Sequence, residues 1–112
     1  MVVCVPVTGD GAVDHSWGRA RRVAVAEVTG GRLASWAEFD VGWDTLHDSG
    51  SEGGHHAQLA RFLLDHQVEA VVAGHIGGPM EHMLGKMGLR VVLGASGDAR
   101  EAARASGGQT PE

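Results

Sequence analysis

A chain of 112 residues, 43% hydrophobic and 21% charged, has material for one hydrophobic core and not for a second, and its balance excludes both a disordered chain and a membrane-embedded one. A formal net charge of -5 disfavours general nucleic-acid binding, which depends on lysines and arginines displacing counterions from phosphates. The single cysteine, Cys4, rules out an internal disulfide and a four-thiolate zinc site, while 18 glycines and 7 histidines direct attention to turns and metal chemistry.

Val2 to Thr8 is rich in β-branched residues and stops at Gly9, Asp10 and Gly11, the pattern of a strand feeding a loop. Cys4, inside this apolar run, reads as a buried and inert thiol. The start of the chain has no basic leader followed by an apolar stretch, and no apolar run approaches the roughly 20 residues that span a bilayer. The expectation is a cytoplasmic protein with no membrane contact. Arg22 to Val28 and Leu33 to Val41 read as two further strands, joined through Gly30 and Gly31, a pair suited to a tight hairpin. Arg19, Arg21 and Arg22 read as a solvated entrance to the second strand. Residues 42–54 carry Gly42, Asp44, Asp48, Ser49, Gly50, Ser51, Gly53 and Gly54 without an apolar period, which predicts a long, mobile, functional loop.

Leu59, Phe62 and Leu63 recur at helical spacing within His55 to His66 and predict an amphipathic helix, although Gly53 and Gly54 obscure its start. Val68 to Ala73 is a short continuous apolar run, as expected for a strand covered on both faces. A second helix is predicted from near Pro79 through Met80, Met83, Leu84 and Met87, ending at Gly88. Leu89 to Leu93 reads as another buried strand and Ala99 to Ala105 as a short alanine-rich helix. Three strands followed by helix, strand, helix, strand, helix predict an α/β protein: a ribonuclease H-like three-layer fold, with helices packed on a mixed sheet of about five strands. One domain over residues 1–108 and a frayed tail at 109–112 complete this reading.

Ligands of open α/β sheets bind beyond the carboxyl ends of strands, where loops and helix N-termini converge. That rule selects the loop after the first strand, the Gly53-Gly54-His55-His56 stretch, and the turn Gly74-His75-Ile76-Gly77-Gly78. Each sets histidine among glycines. Glycines in the last turn let backbone amides approach a ligand, and a helix beginning at Pro79 favours an anion. The turn matches neither the dinucleotide fingerprint nor the phosphate loop. Imidazoles at a helix start are held neutral and able to coordinate metal, so His55 and His56 are candidate ligands, of which one ligates and the other assists. His15 follows the first strand with Trp17 as a pocket wall and Arg19 facing an anion. His47, beside Asp44 and Asp48, reads as solvent-exposed, and His66 and His82 read as surface groups. No Ser-His-Asp order and no paired inward carboxylates for two magnesium ions are present, which argues against hydrolase and nuclease templates.

His15-Ser16-Trp17-Gly18-Arg19-Ala20 is similar to a His-Phe-Gly-Arg-Ala segment, Gly53-Gly54-His55 to Gly-Gly-His, and Gly74-His75-Ile76-Gly77 to Gly-x-Ile-Gly. Together they resemble the dinitrogenase iron-molybdenum cofactor carrier and biosynthesis family, over nearly the whole chain. The resemblance implies a domain that holds a preassembled molybdenum- or iron-sulfur-type cluster without a cysteine cage, acting in assembly, carriage or storage beside cluster-assembly proteins and related to nitrogen fixation. It carries across His15, Gly18, Arg19, Gly53, Gly54, His55, Gly74, Ile76 and Gly77 as binding-region residues and requires no catalytic residue; the reading of the residues themselves adds His56 and His75 to His15 and His55 as candidate metal ligands. Trp17 for phenylalanine, His56 for the common glycine and the added His75 are departures. Two alternatives stand beside the carrier reading. One is a histidine-ligated zinc, nickel or copper protein or metal-dependent enzyme; the other is a metal-free regulatory or interaction module. Edge strands leave room for a homo-oligomer.

Overall fold

The computed structural model describes residues 1–45 and 52–108, with 52–55 and 107–108 described by backbone alone. Strands β1 (Val2–Pro6), β2 (Arg22–Thr29), β3 (Arg32–Asp40), β4 (Ala70–Val72) and β5 (Arg90–Val92) alternate in the second half with helices α1 (Glu52–Asp65), α2 (Gly78–Lys86) and α3 (Ala99–Gly108). One five-stranded sheet runs in the order β3-β2-β1-β4-β5. The first three strands form an antiparallel meander, and β4 and β5 add in parallel on the other side of β1.

Successive side chains of a strand point to opposite faces, so the continuous apolar runs of β1 and β4 feed two cores at once. Cys4, Val23 and Val71 pack on one face with Leu59 and Leu63 of α1 and Met80 and Leu84 of α2. Val3, Val5, Ala24, Ala26, Ala70 and Val72 pack on the other with Ala99 and Ala103 of α3. The three-layer arrangement and the mixed five-stranded sheet agree with the sequence reading. Among the described residues no helix is long and apolar enough to cross a membrane.

The hairpin between β2 and β3 places both Gly30 and Gly31 at positive φ, 57° and 79°, which the twist of a two-residue turn demands. Helix α2 stops as predicted at Gly88 (φ 79°): the Leu89 amide donates to the Leu84 carbonyl and the Gly88 amide to Gly85. This is a Schellman ending. Helix α1 stops the same way, Val68 amide to Leu63 carbonyl and Gln67 amide to Leu64, but the residue at positive φ is Gln67 (56°).

Boundaries differ from the sequence reading at three places. Helix α1 starts at Glu52, so Gly53 and Gly54 lie in its first turn; packing of Leu59 and Leu63 outweighs the roughly 1 kcal/mol that each glycine costs a helix. Residues 43–45 are also helical, which shortens the predicted 42–54 loop from both ends. Residues 46–51, with His47 and Asp48, lie outside the described residues, as does the expected tail at 109–112. Strands β4 and β5 are three residues each: Val68 is taken up in ending α1, and the residue-for-residue register ends at Val72 and Val92.

Candidate functional site

The carboxyl ends of β1, β4 and β5 lie along one border of the sheet, because these three strands are parallel. The chain leaving β1 is fastened there at several points. Val7 bridges to Val13, and Ala12 to Asp98. The Asp14 amide donates to the Pro6 carbonyl at 2.9 Å, and the Val13 amide to Gly97 at 2.7 Å. Ser16 and His75 then form a parallel bridge, with the His75 amide donating to the His15 carbonyl (2.8 Å) and the Trp17 amide to the His75 carbonyl (3.3 Å).

The bridge brings two sequence-predicted residues together. The rings of His15 and His75 lie within 9° of parallel with centroids 5.8 Å apart, and both side chains are exposed. Gly74 makes the approach sterically possible. A Cβ there would meet His15 Nδ1 at 3.0 Å, the His15 carbonyl oxygen at 3.1 Å and the Ala95 carbonyl oxygen at 3.3 Å.

Gly77 and Gly78 have another character. Gly77 is the N-cap of α2 with φ -63° and ψ 153°, which any residue adopts, and a Cβ at either position would meet nothing within 4 Å. Neither backbone conformation nor packing calls for glycine there. Helix α2 has no side-chain cap and carries Pro79 in its first turn. Its leading amides and macrodipole therefore face open space beside the two histidines, an arrangement that attracts an anion.

Two residues of the predicted site have a different task. Ile76 is buried in the core with Met80 and Leu84, so its side chain holds the turn down and does not face a ligand. Trp17, expected as a pocket wall, is fully buried. It packs edge-on to Trp43 at 5.1 Å, and Trp43 continues to Phe62 at 5.5 Å and Phe62 to Phe39 at 5.6 Å. Trp17 thus anchors the segment that displays His15. Its Nε1 is buried with no hydrogen-bond partner, and burial pushes the Cys4 thiol up to about 12. Cys4 is buried and free, as expected.

Arg19 is exposed and Gly18 half-buried. Gly53 and Gly54 lie in the first turn of α1, whose His55 side chain is outside the described residues. His56 is half-buried, and no set of three or more potential ligands gathers among the described residues. His82 is exposed as expected, but His66 is not a free surface group: it packs on Phe62 (4.3 Å) and Phe39 (4.7 Å).

An open cavity of about 650 Å³ is lined by Thr8, Asp14, Arg21, Arg22 and Asp40 and includes neither His15 nor His75. Arg22 binds Asp40 through Nε at 2.8 Å and reaches Glu38 at 3.5 Å, which holds the Asp40 carboxyl below its ordinary range, as a hydrogen bond from Thr8 does for Asp10. Sequence reasoning placed Ser16, Arg21 and Gly78 inside named segments but gave none of them a role, and it did not single out Asp14.

A family model described as dinitrogenase iron-molybdenum cofactor matches residues 1–107. Among solved structures, the crystal structure of PH0822 is similar with a TM-score of 0.76 and 22% identity, covering 100% of this chain and 93% of that one. The apo form of the orange protein from Desulfovibrio gigas is similar with a TM-score of 0.71 and 23% identity, covering 98% of this chain and 90% of that one. Likeness at these identities is likeness of fold. No curated protein sequence matches the chain.

Proposed function

Because the chain belongs to the dinitrogenase iron-molybdenum cofactor family, we propose that it is a carrier for an anionic metal cluster, of iron-molybdenum or other molybdenum or iron-sulfur type, or for its precursor. The cluster is cargo, handed between assembly proteins, and the role needs no turnover. The observation that carries this reading is the uncapped start of α2, where Gly77 and Gly78 have ordinary backbone angles and empty space where a side chain would stand. Glycine at such positions lets a ligand come down onto the amides themselves. Around that floor stand Gly18 and Arg19 from the segment after β1, Gly53 and Gly54 at the start of α1, and imidazoles from His15 and His75, with His55 at the start of α1 as the third. With Cys4 buried, the cluster is held by charge, amides and imidazole, without thiolate.

The test is anaerobic gel filtration of tag-free protein after incubation with tetrathiomolybdate or a preformed iron-molybdenum-sulfur cluster, read by visible absorption and elemental analysis. Stoichiometric co-elution is expected, weakened about tenfold in Gly77→Val and in Arg19→Ala, since each removes contacts to a charged group. Cargo that elutes apart from wild-type protein would overturn the proposal.

A further inference from the structure

We infer that the outer edge of β3 pairs with the same edge of a second copy of this chain, antiparallel about a two-fold axis at Ala37, so that the two sheets run on as one. The inference concerns the margin of the sheet and does not rest on what the strand ends carry.

The sheet order leaves β3 at one margin and β5 at the other. Strand β5 is three residues long, and brevity is one way in which an edge is kept from pairing. Strand β3 runs for nine residues, RLASWAEFD, with neither proline nor lysine, and among the described residues no strand pairs with its outer side. Its ladder to β2 determines which backbone groups are open. The Val41 amide donates to the Arg21 carbonyl at 3.0 Å, and antiparallel pairs alternate between hydrogen-bonded and non-hydrogen-bonded. With Val23 opposite Phe39 and Val25 opposite Ala37, Phe39, Ala37 and Ser35 direct their amides and carbonyls to β2, whereas Trp36, Glu38 and Asp40 direct theirs outward. A bulge, in which the register passes from Ser35 to Leu33 and skips Ala34, ends the regular edge on the other side of Trp36.

Charge chooses the register. The outward-directed residues must face one another across the axis, and setting Glu38 against Glu38, or Glu38 against Asp40, brings carboxylates together and destabilises a cross-strand pair. Trp36 against Glu38 avoids this. Arg100 lies over the Trp36 ring at 4.7 Å, so the partner's Glu38 meets an indole and a guanidinium, and symmetry repeats the contact. Glu38 already accepts from Trp36 Nε1 at 2.9 Å and faces Arg22 at 3.5 Å; the other lone pairs of its carboxylate serve the second copy. On the opposite face of the sheet this register sets Ala37 against Ala37 and Ser35 against Phe39. Ala37 and Ser35 are exposed and small enough for close approach. An interface built on so short an edge belongs to the small class, so the association is a reversible equilibrium in the micromolar range.

Sedimentation velocity of the tag-free full chain, from about 10 µM to about 1 mM, should show the mass rising from monomer to dimer. Glu38→Pro removes an amide directed outward and leaves the ladder to β2 in place, so this variant should stay folded by circular dichroism and remain monomeric. Glu38→Arg sets a cation against Arg100 and should weaken dimerisation at least about tenfold; it keeps the backbone amide, and so reads the same edge even where the proline costs stability. Ala37→Cys should cross-link between copies under mild oxidation, because non-hydrogen-bonded partners stand about 4.5 Å apart at Cα. Ser35→Cys, facing Phe39, should not, and Cys4 is buried away from the edge. A chain that stays monomeric throughout, as it would if this edge served a strand of another protein, overturns the inference. So does a dimer that forms equally well in Glu38→Arg, or cross-linking that is equal at positions 35 and 37.

Discussion

Gly74 and Gly77 sit three residues apart in one turn and are glycines for different reasons. At Gly74 a methyl group would press on the ring and carbonyl of His15 and on the Ala95 carbonyl, and two of these are backbone atoms that cannot swing aside. Gly74→Ala should therefore lower stability by about 1–3 kcal/mol. Gly77→Ala meets no neighbour and keeps an ordinary backbone, so it should leave stability unchanged or raise it by up to about 1 kcal/mol through the unfolded chain. Denaturant titration of the two variants measures the contrast. Cys4 gives a second handle. Its thiol, raised by burial from 9.0 to about 12, favours the folded state fully below pH 9, and this contribution is lost as pH climbs toward 12. The size is at most about 4 kcal/mol. With no tyrosine and a single lysine, Lys86, in the chain, few other groups titrate in that window. Denaturation midpoints across it should fall steeply for wild type and flatten in Cys4→Ala.

At the level of elements, the end of α1 stores a correctable cost. Gln67 closes it at φ 56°, a left-handed conformation that disfavours side chains by roughly 1–2 kcal/mol, whereas α2 uses Gly88 in the same role. Gln67→Gly should stabilise the fold by about 0.5–1 kcal/mol, seen as a higher thermal midpoint. Both helix ends have the same chemistry, but only the glycine one, Gly88, was legible in the sequence. The strands were legible because β-branched and apolar runs mark them; the extent of β4 and β5 was not, since a continuous apolar run does not show where pairing ends. The start of α1 was hidden because Gly53 and Gly54 read locally as loop, and only the packing of Leu59 and Leu63 makes them helix. Of the candidate site, the strand-end rule found His15 and the 74–78 turn. It could not tell that Ile76 and Trp17 point into the core, because membership in a motif carries no side-chain direction. Nor could it single out Ser16, whose part in the site is entirely a matter of backbone pairing.

For the whole molecule, the sheet order sets β1 at the centre, antiparallel to the meander on one side and parallel to β4 on the other. Strand β1 ends at Pro6 and β4 at Val72, but their partnership is renewed past both ends at Ser16 and His75. This renewed pairing makes the two segments a single kinetic unit. The amide protons of Trp17 and His75 are each held by the other segment's carbonyl, so neither can be released while its partner stays in place. In hydrogen–deuterium exchange the two should exchange at matching rates, slower than the exposed amides of the same turn, and Gly74→Ala should speed both together. A pair of rings displayed on such a unit keeps its spacing through local breathing, because both backbones move as one.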